Sequence, residues 1–151
     1  MLDDEIFDKI MLTFEKFPKK WTTGRGDWES SRDALNWFIV NSSEHLTNAQ
    51  INRLVKVTKG KRLSLRESLV EADNFDESSL KLLGKTKSHH ALKGIILNDK
   101  ISFEAKKKYL TKATIRNLLD VRYFYNHIIE QADGEIKEYL KSFSDIKDII
   151  E

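Results

Sequence analysis

The sequence predicts an all-α fold of stacked helical hairpins, and three observations predict it. A single proline, Pro18, and six glycines leave long windows with nothing to interrupt a helix. Residues 64–114 hold one pattern twice, as LRESLVEADNFDESSLKLLGKTK and then LKGIILNDKISFEAKKKYLTKA. In each copy an apolar helical stretch meets a polar break, an apolar residue, a capping residue and a second helical stretch. Phe75-Asp76 in the first copy matches Ile101-Ser102 in the second, 26 residues on. Finally, helix-capping residues Thr47, Asp76, Ser102 and Asp133 recur at spacings of 29, 26 and 31. Such units do not bury an apolar face alone, and stacking is the usual solution.

Taken in order, residues 3–17 read as a first helix with Ile6, Ile10, Phe14 and Phe17 on one face, flanked by Phe7 and Met11. Asp3, Asp4 and Glu5 suit its first turn, and Pro18 ends it. Residues 18–28, PKKWTTGRGDW, read as irregular chain, with Trp21 and Trp28 bracketing Gly24 and Gly26. The indoles either pin this loop to the body or, with Arg25, make a contact loop that stacks and meets phosphate.

Ser30 or Ser31 is expected to cap a helix carrying Ala34, Leu35, Phe38 and Ile39, with Trp37 beside them. Thr47 opens the next helix with Gln50 completing a capping box, and Ile51, Leu54 and Val55 form its stripe. A second pair is expected at 63–72 and 77–86, with Phe75 as a staple before Asp76, and a third at 89–97 and 103–112, with Ile101 before Ser102. A longer helix is expected from 114 to 131, and a last one after Asp133-Gly134. The whole reads as a single all-α repeat domain, 1–151. Residues 1–29 form a cap helix and Trp loop, 30–114 three hairpins, and 115–151 a C-terminal hairpin cap.

The units resemble the short two-helix repeats of the leucine-rich repeat variant and HEAT-like proteins, in detail over 64–114 and in rhythm over 30–143. The resemblance implies a short right-handed solenoid with end-capping helices, working as a binding scaffold. Some HEAT-like members bind DNA on a basic concave face and one group excises alkylated bases, which implies a DNA glycosylase as one alternative. That group's catalytic pattern has no residue-by-residue match in this chain.

Composition narrows the function classes. Cysteine is absent, which excludes disulfides, zinc-thiolate sites and cysteine nucleophiles. The acidic opening MLDDEIFDK resembles neither a secretory signal nor a transit peptide, and a cytoplasmic, membrane-free protein is expected. The net charge of +2 conceals a basic middle: residues 53–122 carry 17 basic and 8 acidic side chains, between acidic ends. Histidines 45, 89, 90 and 127 show no metal-ligand spacing, GRGDW lacks the phosphate-loop pattern, and the RGD triplet at 25–27 reads as chance. Glu29 and Asp33 suit the first turn of a helix better than acid–base work. Neither metal nor cofactor is expected, nor is an enzyme.

The basic residues form the leading constellation. Arg53 and Lys56 follow Thr47 by 6 and 9 residues, Lys81 and Lys85 follow Asp76 by 5 and 9, and Lys107, Lys108 and Lys112 follow Ser102 by 5, 6 and 10. On stacked hairpins these positions recur on neighbouring helices as a basic ridge, extended by Lys59, Lys61, Arg62 and Lys87. Such a ridge suits an acidic macromolecule: a DNA or RNA backbone, or an acidic protein surface. The bland reading is a solvated face of lysines favoured by helix C-termini. The alternative partner reading is a protein-directed adaptor or inhibitor; small size and a Lys/Ile/Asn-rich composition fit a phage or mobile-element protein. Of Tyr123 and Tyr125, which flank Phe124, one is expected outside the core as a contact residue or in helix-end packing.

Overall fold

A computed structural model describes residues 1–15, 27–59 and 63–150, with side chains described over 1–14, 34–59 and 66–143. Ten helices are described and no strand occurs among the described residues, so the chain is all-α. Its residues group into two compact units, Met1–Gly84 and Lys85–Glu151.

In Met1–Gly84 the first helix, α1 (Asp4–Glu15), is capped by Asp3, whose carboxylate accepts from the Glu5 and Ile6 N–H groups. It buries Phe7, Met11 and Phe14 and leaves Ile6 53% exposed, so the inward stripe lies one residue over from the expected Ile6/Ile10 face. Tertiary ties set that rotation: Leu2 N–H donates to the His45 carbonyl, and the Gln50 amide donates to Leu2 O and to Asp4. Next, α2 (Asp27–Ser42) begins ahead of Ser30 and Ser31, which therefore lie within the helix instead of capping it. It buries Leu35 and Ile39, and Phe38 sets its ring 6.4 Å from that of Phe7.

The remaining helices of this unit are α3 (Asn48–Val57), α4 (Leu63–Val70) and α5 (Glu77–Leu83). Thr47 and Asp76 cap α3 and α5 in full capping boxes, satisfying N–H groups that the first turn leaves unpaired. Gly84 ends α5 at φ 69°, a conformation that favours glycine. Helix α2 packs on α4, and α3 packs on α5. The first turns of α3 and α5 lie together, because Asn74 donates to Leu46 O and Asn48 donates to Asn74 O. The two helices therefore run in the same direction. The segments after α2 and α4 also meet, through Asp73 N–H and Ser43 O.

In Lys85–Glu151 the helices are α6 (His89–Leu97), α7 (Phe103–Tyr109), α8 (Lys112–Asp120), α9 (Arg122–Gln131) and α10 (Gly134–Ile150). Helix α9 packs on α6 and α8, and α10 contacts α7, α8 and α9. Their core joins Leu92, Ile96, Ile115, Leu118, Ile128 and Leu140. The expected helix over 114–131 is two helices broken at Val121, whose backbone (φ −108°, ψ 72°) leaves helical space. On one straight helix the buried set Ile115/Leu118/Leu119 and the buried set Tyr125/Ile128/Ala132 would point about 100° apart. The break lets both face one core, and Tyr125 completes it by donating its hydroxyl to Leu140 O at 2.8 Å. A second stop separates α7 from α8, where Thr111 caps α8 by accepting from Thr114 N–H.

One rule runs through the side-chain-capped helices of both units. The residue four after the cap is buried each time: Phe7, Ile51, Leu80, Leu92, Lys106 and Ile115. Lys106 breaks the chemistry of the rule while keeping its geometry.

Candidate functional site

The candidate cations differ in how freely they stand. In Met1–Gly84, Arg53 forms an ion pair with Asp8 and lies 5.7 Å over the Phe7 ring, so it fastens α3 to α1. Lys56 and Lys81 are exposed and have no hydrogen-bond or ion-pair partner among the described residues. Both stand near a polar seam between α3 and α5. There Asn52 donates to Ser78 at 3.0 Å, Ser79 donates to Asn52 at 2.6 Å, and Asn48 donates to Ser79 at 3.3 Å. Lys56 lies one turn beyond Asn52, and Lys81 one turn beyond Ser78, so helical geometry sets each on the face of its helix that carries the seam. At the head of the seam burial works against the charged form of Asp76. Hydrogen bonds from the Ser78 hydroxyl, the Ser79 and Ser78 N–H groups and Asn48 outweigh it and hold the carboxyl below its usual value. Arg66, another cation of the basic middle, donates to the Leu83 carbonyl and so closes the end of α5.

In Lys85–Glu151, Lys85 donates to Tyr109 O at 3.2 Å and lies 5.2 Å over the Tyr109 ring. Lys107 lies 5.9 Å from the ring centres of both Phe103 and Tyr139. Lys108 and Lys112 are exposed without a partner among the described residues. Lysines at the end of α7 are favoured by the helix dipole, as the bland reading holds. Lys112 is not: it is the first residue of α8, where a cation is disfavoured. Neither Lys59 nor Lys87, the described extensions of the ridge, is buried; Lys61 and Arg62 lie outside the described residues.

Sequence reasoning passed over Lys106, which is 7% exposed at a core position of α7. Burial pulls its ammonium pKa below the ordinary lysine value, while the Asp99 and Asp133 carboxylates act in the opposite sense. Aligning the caps exposes it, because the same position holds Ile51 and Leu80 in the preceding units.

Of the two tyrosines flanking Phe124, Tyr125 is the core residue and Tyr123 stands 86% exposed. His89 and His90 both set their rings edge-on to Phe124, at 5.8 and 5.4 Å, and His89 Nε2 lies 3.1 Å from Asn117 O. His127 Nε2 lies 2.7 Å from the Gln131 amide. Among the described residues no group of three or more His, Asp or Glu side chains is placed to hold a metal ion. No helix among them is long and apolar enough to cross a membrane. Trp21 and Arg25 lie outside the described residues, as do the side chains of Trp28, Glu29 and Asp33. Compared with known proteins, the chain matches no family model, no curated protein and no solved structure.

Proposed function

We propose that the chain is a non-enzymatic binding module, a short solenoid of stacked hairpins that presents a basic ridge to an acidic macromolecule, nucleic-acid backbone first. Parallel packing of α3 on α5, with α2 on α4, supports the stacked reading. So do the side-chain bonds that join α2 to α4 and the α3 region to the α5 region, between residues 26 to 32 apart. The observation that carries the functional reading is a set of four exposed lysines, Lys56, Lys81, Lys108 and Lys112, that have no partner among the described residues. Arg53, Lys85 and Lys107 are held by neighbours in the same fold and contribute charge at longer range. Lysines outnumber arginines, which favours backbone contact over base readout.

The test is binding of a labelled oligonucleotide across a salt series. Affinity should fall steeply with salt, and charge reversal of Lys108 and Lys112 should flatten that slope by about one phosphate contact each. Affinity flat between low and moderate salt would sink the proposal. A second reading, a protein-directed adaptor, draws on the outward face of α2, where Trp37 is 68% and Val40 52% exposed. It predicts a protein partner retained after nuclease treatment and lost on Trp37→Ala.

A further inference from the structure

Three aromatic side chains stand half-buried along α7 and α10. Phe103 and Tyr139 meet edge to face at 6.0 Å, and Tyr139 and Phe143 meet the same way at 5.1 Å. All three pack against the core of their unit, which fixes their orientation while leaving part of each ring open. The exposed ammonium of Lys107 lies over two of them, 5.9 Å from each centre. Aromatic faces recognise either a cation or a flat π-system. Three consecutive lysines, Lys106, Lys107 and Lys108, occupy the last turn of α7 and repel a second cation. On α10 the nearby Glu138 is engaged by Lys141 at 3.8 Å. Glu104 on α7 and Glu135 on α10 offset part of that charge, so it is Lys107, set over the rings, that favours a ligand that is anionic and carries flat rings.

We propose that Phe103, Tyr139 and Phe143 form a stacking platform for the bases of an unpaired nucleic-acid strand. Lys107 covers the platform when it is empty and turns outward to a phosphate when a base arrives. The inference rests on the nucleic-acid reading above and deepens it, from any phosphate backbone to a single strand. Duplex bases keep their faces stacked on one another, whereas an unpaired strand offers a face to each ring.

The experiment measures anisotropy of a labelled short oligothymidylate, the same-length abasic strand and a same-length duplex, at one moderate salt concentration. The thymidylate strand should bind about 10-fold tighter than the abasic strand, as base–aromatic stacking commonly supplies. Phe103→Leu and Tyr139→Leu preserve apolar bulk; each should erase most of that difference and leave abasic binding unchanged. Lys108→Glu should weaken all three ligands together. Equal binding of strands with and without bases, in the unaltered protein, overturns the platform and leaves the electrostatic reading standing. A duplex preferred over the thymidylate strand does the same. Preference for a trimethyl-lysine peptide over the thymidylate strand replaces the platform with a cation cage. Failure of all three oligonucleotides at low salt overturns both readings.

Discussion

In Met1–Gly84 the parallel helices α3 and α5 meet through amides and hydroxyls, whereas in Lys85–Glu151 α7 and α10 meet through aromatic rings, and α9 reaches α10 through a tyrosine hydroxyl. Both units bury the same cap-plus-four positions, so the difference lies in what surrounds a shared apolar frame. Hydrogen bonds fix direction and register, since a donor one turn out of place leaves a polar group unpaired. Rings contribute area and tolerate small shifts. The pairing of α3 with α5 is thus specified by hydrogen bonds, and that of α7 with α10 by ring packing.

Alanine at the shared positions sharpens the comparison most. Ile51→Ala and Ile115→Ala, both at fully buried sites, should each lower unfolding free energy by about 3 kcal/mol in urea titrations. A loss in one several times the other would show that the frames are not equivalent. Asn52→Ala should cost about 1.5 kcal/mol in the same titration, because it removes one hydrogen bond each from Ser78 and Ser79, which keep those to Asn48 and Asp76. Leucine in its place should be nearly as costly if register is the point.

Asp76→Ala should remove about 1 kcal/mol at neutral pH. Its folded pKa is lowered, so its contribution is present above the unfolded value of 3.8 and is lost as pH falls through the folded value. Acid titration of stability should therefore be shallower in the alanine variant.

The smallest expected change has the opposite sign. Lys106→Met should stabilise the second unit, by at most about 1 kcal/mol, since it replaces a desolvated ammonium with an apolar chain of similar length. With the folded pKa below 10.5, unaltered protein should gain stability as pH rises from the folded value towards 10.5, and the methionine variant should lack that gain. A clear destabilisation would mean that Asp99 and Asp133 hold the ammonium more tightly than burial opposes it.

Much of the helical plan was legible because caps are local chemistry. Thr47, Asp76 and Ser102 each accept from the backbone N–H three residues on, as their sequence context implies. Ser88 does the same ahead of the helix expected at 89–97, whereas Thr111 caps a helix that was not separated from its neighbour, because an apolar rhythm continues across it. The rotation of α1 was not legible, because two stripes one residue apart have equal spacing and only the Leu2 and Gln50 bonds choose between them. The candidate cations were visible as a charge pattern. Which of them stand free was not, since that depends on Asp8, Tyr109 and Tyr139 arriving from other helices or turns.

The polar seam also bears on how the first unit is made. Its bonds close loops of similar, modest length, so each adds only a small entropic cost over the last. Short-range topology of this kind folds quickly. On the ribosome, α2 to α5 can pair as soon as Gly84 has cleared the exit tunnel, before the last helices of the second unit have emerged.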